Sequence, residues 1–179
     1  MNTQSLGKNL LVGMNVATAL NGLIADWNRT HLYNDNWPPH AKFHDAMGLS
    51  MGVLLGALGI FAAKRKGGNA TDNTRLAALC PAVFFGAQLS AFAYPNADTI
   101  ETEFPDYWPK IGRFSYNEAP FALTGLALTA LGWALAESGG KSARRRRPER
   151  LQDETPRTGP FDDAEARDRL ATEQMAMVP

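Results

Sequence analysis

The 179-residue chain contains only three histidines, His31, His40 and His44, and all lie in one stretch, ADWNRTHLYNDNWPPHAKFHDAMGLSMG, residues 25–52. His40 and His44 stand one helical turn apart, so their imidazoles project the same way from a helix. Together with a carboxylate, such a pair has two chemical uses. It can ligate zinc or iron, or one imidazole and one carboxylate in a semi-dry pocket can act as base and acid. Asp26 and Asn28 end the first helix and Asp45 begins the second beside His44, so these polar groups are expected to converge there. The expected acid/base or ligand-orienting set is therefore His40, His44 and Asp26. Asn28, His31, Trp37, Asp45 and Trp108 are the expected ligand contacts. Metal binding through His40 and His44 is the minor alternative, and three histidines are too few for a membrane di-iron centre. No motif designates a cofactor.

The elements that must position these residues follow from where charge is missing. Mean hydropathy is −0.26 and the 18 basic residues balance the 18 acidic ones, values that suit a soluble domain. Yet residues 9–25, 46–63, 76–97 and 119–136 contain no Asp, Glu, Lys, Arg or His. Each approaches the roughly 20 apolar residues that cross a hydrocarbon core. A helix of a soluble bundle would carry charge along its outer face. The expected fold is thus an all-α, four-helix transmembrane bundle, residues 1–137, with spans near 9–26, 45–63, 76–95 and 118–136. Two ordered outer loops join the helices, and residues 138–179, rich in Gly, Arg, Pro, Glu and Asp, form a disordered cytoplasmic tail. The first run carries Asn15 and Asn21 and lacks a small-x-small cleavage site, which argues against a signal peptide. The single cysteine, Cys80, excludes an internal disulfide.

Orientation follows the basic residues. Lys8, Lys64, Arg65, Lys66, Arg75, Lys141 and the arginines at 144–147 flank one set of run ends, while Arg29, Lys42, Lys110 and Arg113 flank the other. The excess marks the cytoplasmic side, placing both termini there and the histidine loop outside. The arginine block beside a membrane helix attracts anionic lipid rather than nucleic acid.

Local signals refine this layout. Trp37-Pro38-Pro39 should start the second helix, because proline suits a first helical turn and keeps its predecessor extended. Gly48, Gly52 and Gly56 form a small-xxx-small series that admits a neighbouring helix. His40 and His44 continue its four-residue spacing, which predicts that they share the packed face. Ser115 and Glu118 have capping-box spacing before the fourth helix. Asn15, Asn21, Gln88, Ser90 and Thr124 are expected to join helices by hydrogen bonds.

The segment DWNRTHLYNDNWPPHAKFH, Asp26 to His44, resembles that of a family of small four-span membrane proteins from bacteria and fungi, mostly of uncharacterised function. The resemblance implies the same four-span layout. That layout is also similar to the architecture of sterol-isomerase and sigma-2-receptor-like proteins and of anthrone-oxygenase-like proteins. Two functions fit these readings. One is a bundle whose outer mouth binds or transforms a small lipophilic molecule. The other is a non-catalytic membrane scaffold or accessory subunit whose outer loops contact a membrane protein partner. Membrane lipid surrounds the chain in either case.

Overall fold

The computed structural model describes residues 2–108 and 110–145. Four helices pack together: α1 (Thr3–Ala25), α2 (Pro39–Lys64), α3 (Ala70–Ser90) and α4 (Glu118–Arg145). The second long loop holds two short 3-10 turns and a small antiparallel hairpin, β1 (Lys110–Ile111) with β2 (Phe114–Ser115), turning at Gly112 with φ 64°. The all-α bundle expected from the charge-free runs is present. Pro39 is the first residue of α2, and Pro38, at φ −65° and ψ 155°, is extended ahead of it.

Three helical segments, Pro39–Lys64, Ala70–Ala93 and Glu118–Gly139, are long and apolar enough to cross a membrane. The fourth expected span differs. α1 is 23 residues long, but Asn9, Asn15, Thr18 and Asn21 within it lower its hydropathy. Its polar groups are used inside the bundle: Asn15 and Thr18 are both fully buried. α4 also continues beyond the expected end at residue 137, because its Gly139 lies against the backbone of Gln4 and the two helices still touch there. Residues 146–179 of the expected tail lie outside the described residues.

Small residues at heptad spacing make the seams. On α4 they are Ala122, Gly125, Thr129, Gly132 and Ala136. On α2 they are Gly52, Gly56 and Gly59, continuing from Leu49. Alternating steps of three and four residues keep a stripe on one face, whereas each strict four-residue step rotates it by about 40°. The series expected to carry Gly48, His44 and His40 into the packed face therefore drifts out of it. Gly48 is exposed and a Cβ there would meet nothing within 4 Å, while one at Gly52 would meet Phe84 and the Thr18 carbonyl at 3.1 Å. The face that is actually packed runs outward from Leu49 to Asp45.

A single polar contact ties three helices. Pro81, inside α3, has no N–H to offer the carbonyl four residues earlier, that of Ala77. The buried Asn15 amide of α1 donates to that carbonyl at 2.7 Å and to Leu11 O at 2.8 Å. Gly59 of α2 leaves the space, since its missing Cβ would overlap Asn15 Oδ1. In an apolar surround an orphan carbonyl costs several kcal/mol, so the proline creates the demand that the asparagine meets.

This coupling is measurable by a double-mutant cycle in detergent. Asn15→Ala should lower thermal stability in the wild-type background. In a Pro81→Ala background, where Ala77 O regains a backbone donor, it should cost less by about 1 kcal/mol. Strictly additive effects of the two substitutions would show that the contact is incidental.

Candidate functional site

The loop between α1 and α2 is built by side chains that replace missing backbone partners. Asn28 Oδ1 accepts from Thr30 N at 2.8 Å and Thr30 Oγ1 at 2.6 Å, an Asx turn. Its amide donates to Ala25 O at 2.5 Å, a carbonyl left over at the end of α1. The hydroxyl of Tyr107, from the second long loop, donates to the same carbonyl at 3.1 Å and lies 3.3 Å from Asn28 Nδ2. Asn34, nearly inaccessible, donates to Thr30 O at 3.1 Å and accepts from Asn36 N at 2.9 Å. Asn28 thus serves the loop's own backbone.

The second loop is anchored to α4 by carboxylates. Glu101 accepts from Ser115 Oγ and from Asn117 Nδ2, the latter at 2.9 Å, and these bonds hold its carboxyl below the usual range. Glu118 Oε1 accepts from Ile100 N at 3.2 Å. The expected capping box is absent: Ser115 belongs to β2 and turns to Glu101, so Glu118 is left to fasten the 3-10 turn instead. Trp108 lies edge-on to Tyr107 at 5.4 Å, with its Nε1 buried and unpartnered.

The histidines separate into two groups. His40 and His44 are exposed on the outside of α2, with their Nε2 atoms 3.0 Å apart and the Phe43 ring stacked on His40. The two nitrogens are close enough to share a proton or an ion. Among the described residues, no group of three His, Cys, Asp or Glu side chains is arranged to hold a metal. Asp26 does not orient either of them. The histidine that meets Asp26 is His31, Nε2 to Oδ1 at 3.7 Å. His31 is further held by Thr30 Oγ1 at 2.9 Å from Nδ1 and by the edge of Trp37 at 5.3 Å.

Asp26 is the electrostatic focus of this end. Burial pushes its pKa from the ordinary 3.8 up to about 6, the charges of Asp45 and Glu118 push the same way, and His31 opposes them. Beside it opens a cleft of about 400 Å³ between the Ala25 end of α1, the Pro39 end of α2 and the Ser90 end of α3. Asn21, Asp26, His44, Asp45 and Gln88 provide its polar lining. Leu49, Leu55, Phe84 and the exposed Met51 and Val83 provide apolar walls. Asp45 Oδ2 and Gln88 Oε1 are buried without a hydrogen-bond partner.

Of the expected residues, Asp26, His44 and Asp45 line this cleft. His31 reaches it only through Asp26. Asn28, Trp37 and Trp108 belong to the loops above, and His40 faces away with Phe43. Gln88 and Asn21, read from sequence as helix-joining groups, line the cleft instead. The signal available for Asp45 was its heptad register with Leu49, Gly52 and Gly56.

The raised Asp26 pKa fixes a pH dependence. Between about pH 4 and pH 6 the folded chain holds more protons than the unfolded chain, so stability from this group falls as pH rises through that window. Asp26→Asn is uncharged throughout and should be more heat-stable than wild type above pH 6.5 by roughly a few degrees. The gain should fade to nothing near pH 4. A pH-independent difference in melting temperature would show that Asp26 carries no burial penalty.

Comparison with known sequences and folds adds one result. No curated protein and no solved structure matches the chain. A profile of a family of unknown function, DUF6640, matches residues 10–147, which include every residue of this cleft, α2, α3 and α4 and most of α1. The chain is a member of the DUF6640 family.

Proposed function

We propose that this multi-pass membrane protein binds, and acts on, a small lipophilic molecule in the cleft beside Asp26. The observation that carries the reading is the pair of buried, unpartnered acceptors, Asp45 Oδ2 and Gln88 Oε1, in the wall of a cleft with apolar flanks. A buried acceptor without a partner costs on the order of 1–3 kcal/mol. A ligand that supplies donors at that point recovers it, so the fitting molecule has an apolar body and a donor-bearing polar end. Met51 and Val83 leave the cleft's flank apolar, which suits entry from lipid. Asp26, with a pKa near neutrality, and His44 are the proton-exchanging groups in reach of the ligand's polar end. His40, His31, Asn28, Trp37 and Trp108 support the mouth rather than the ligand.

Gly48 offers a direct test. It lines the cleft, and a side chain there would meet no neighbour within 4 Å at its Cβ. Gly48→Leu should fold at least as well as wild type, because leucine exceeds glycine in helix propensity by about 0.8 kcal/mol. It should nonetheless lose most of the small molecules that co-purify in mild detergent, read by mass spectrometry, and His44→Gln and Gln88→Leu should weaken retention. His40→Gln should not. Undiminished retention in Gly48→Leu, or nothing retained by wild type, would favour the second reading, an accessory subunit. That reading draws on the exposed Trp27, Tyr33, Phe43 and Tyr94 around the same end.

The orientation we propose has both termini cytoplasmic and the cleft outside, from the surplus of Lys and Arg at the opposite end. Asp35 and Gly67 are both exposed, and the native Cys80 is buried. In intact cells a cysteine at position 35 should react with an impermeant maleimide and one at position 67 should not. The reverse pattern inverts the topology.

A further inference from the structure

The end of the bundle farthest from Asp26 has a second cleft, of about 290 Å³, which no part of the proposed function uses. Lys8 of α1 and Arg65 and Lys66 of the α2–α3 turn supply its charge, and Leu11, Ala63 and Ala77 supply an apolar floor. Among the described residues, no carboxylate lies within ion-pair distance of these three cations. Asp72 and Glu137 pair with Arg75, at 3.7 and 3.6 Å. Lys8, which lines the cleft, is half-buried.

The turn is built to keep this cleft open. Arg65 Nε and Asn73 Nδ2 both donate to Gly67 O, at 3.1 and 2.9 Å, and Gly68 turns with φ 78°, a left-handed conformation that favours glycine. The Arg65 guanidinium also lies 5.8 Å from the centre of the Phe61 ring. α2 ends at Lys64 and α3 begins at Ala70, so the cleft sits at the level where two membrane-crossing segments emerge. Asn73 and Thr74 add hydrogen-bonding groups between the cationic rim and the buried Leu11 and Ala77, a lining suited to a polar anionic headgroup at the membrane surface.

We infer that this second cleft binds the phosphate-bearing headgroup of an anionic phospholipid, with Lys8, Arg65 and Lys66 around the phosphate and the acyl chains left in the surrounding bilayer. Free phosphate shares the headgroup's charge but has no use for the apolar floor. Lipid recognition by basic residues at a membrane surface amounts to about 1 kcal/mol for each cation.

The test uses the full chain purified in mild detergent and native mass spectrometry, with dioleoyl phosphatidylglycerol and dioleoyl phosphatidylcholine as probes. Wild type should retain one phosphatidylglycerol in preference to phosphatidylcholine. Lys8→Gln/Lys66→Gln should lower that preference about thirtyfold, the loss of two such contacts. Lys8→Arg/Lys66→Arg should keep it, as should Lys42→Gln/Lys110→Gln at the other end. Circular dichroism and elution volume establish that each variant is folded. If the Gln variant proves unfolded, the single exposed-site change Lys66→Gln reads the same preference. Equal retention of both lipids by wild type, or an unchanged preference in the folded Gln variants, overturns the inference. Displacement of phosphatidylglycerol by 10 mM inorganic phosphate, on the order of ordinary buffer strength, would assign the cleft to free phosphate instead.

Discussion

The fold turns on one hydrogen bond, from Asn15 of α1 to the Ala77 carbonyl of α3. Pro81 makes that carbonyl an orphan, and in a membrane no water is available to satisfy it. An apolar seam of small residues tolerates sliding, because each glycine or alanine resembles the next. A carbonyl that exists at one position only does not. The contact therefore sets the height of α1 against α3, and Gly59, which must lie over the Asn15 side chain, sets α2 against both. Burying Thr18 a turn further along, with its hydroxyl on Met14 O at 2.9 Å, continues the same polar line without demanding anything of α2.

Register then decides the chemistry at the far end. With α1 fixed, its last residues bring Asp26 level with Asp45 on α2 and Gln88 on α3, and the cleft opens among them. The loops do not create this arrangement; they hold it. Tyr107 and Asn28 close the end of α1 at Ala25 O, and Glu118 pins the second loop to the start of α4. Three carboxylates, Asp26, Asp45 and Glu118, meet one histidine there, which is why burial is not fully offset and Asp26 holds its proton to about pH 6.

Much of the fold was legible before any coordinates. The charge-free runs located the helices, Trp37-Pro38-Pro39 located the start of α2, and the basic turn after Lys64 located the next reversal. What was not legible depended on small angles. A four-residue repeat looks like one face over two turns, but about 40° of drift per step carries it out of the seam over four. Extrapolating the repeat puts His40 and His44 on the packed face, whereas Asp45, Leu49, Gly52, Gly56 and Gly59 hold the true stripe. Gln88 was read as glue because any amide in an apolar run can bridge helices. Whether its oxygen finds a partner depends on the register that Asn15 and Pro81 set, and no single-helix pattern contains that. The capping box failed for a similar reason: Ser115 had a competing acceptor, Glu101, brought by a hairpin that two-residue strands scarcely announce.

The clustering of the histidines now has two causes rather than one. His31 belongs to the Asp26 loop and offsets part of its negative charge. His40 and His44 belong to the first turns of a helix whose seam begins at Asp45, so they lie outside that seam and only His44, one position before Asp45, reaches the cleft edge. Their nearness in sequence reflects a short loop leading into a long helix, not a shared pocket. The cleft groups with unmet hydrogen-bonding capacity are instead the Asp45 carboxylate, one position on, and the Gln88 amide oxygen of α3. The proposed ligand, a donor on a hydrophobic carrier, follows from acceptors that the surrounding helices leave without a partner. The polarity of the two clefts therefore follows from where charge was permitted along each helix, the same constraint that makes the helices visible in the sequence.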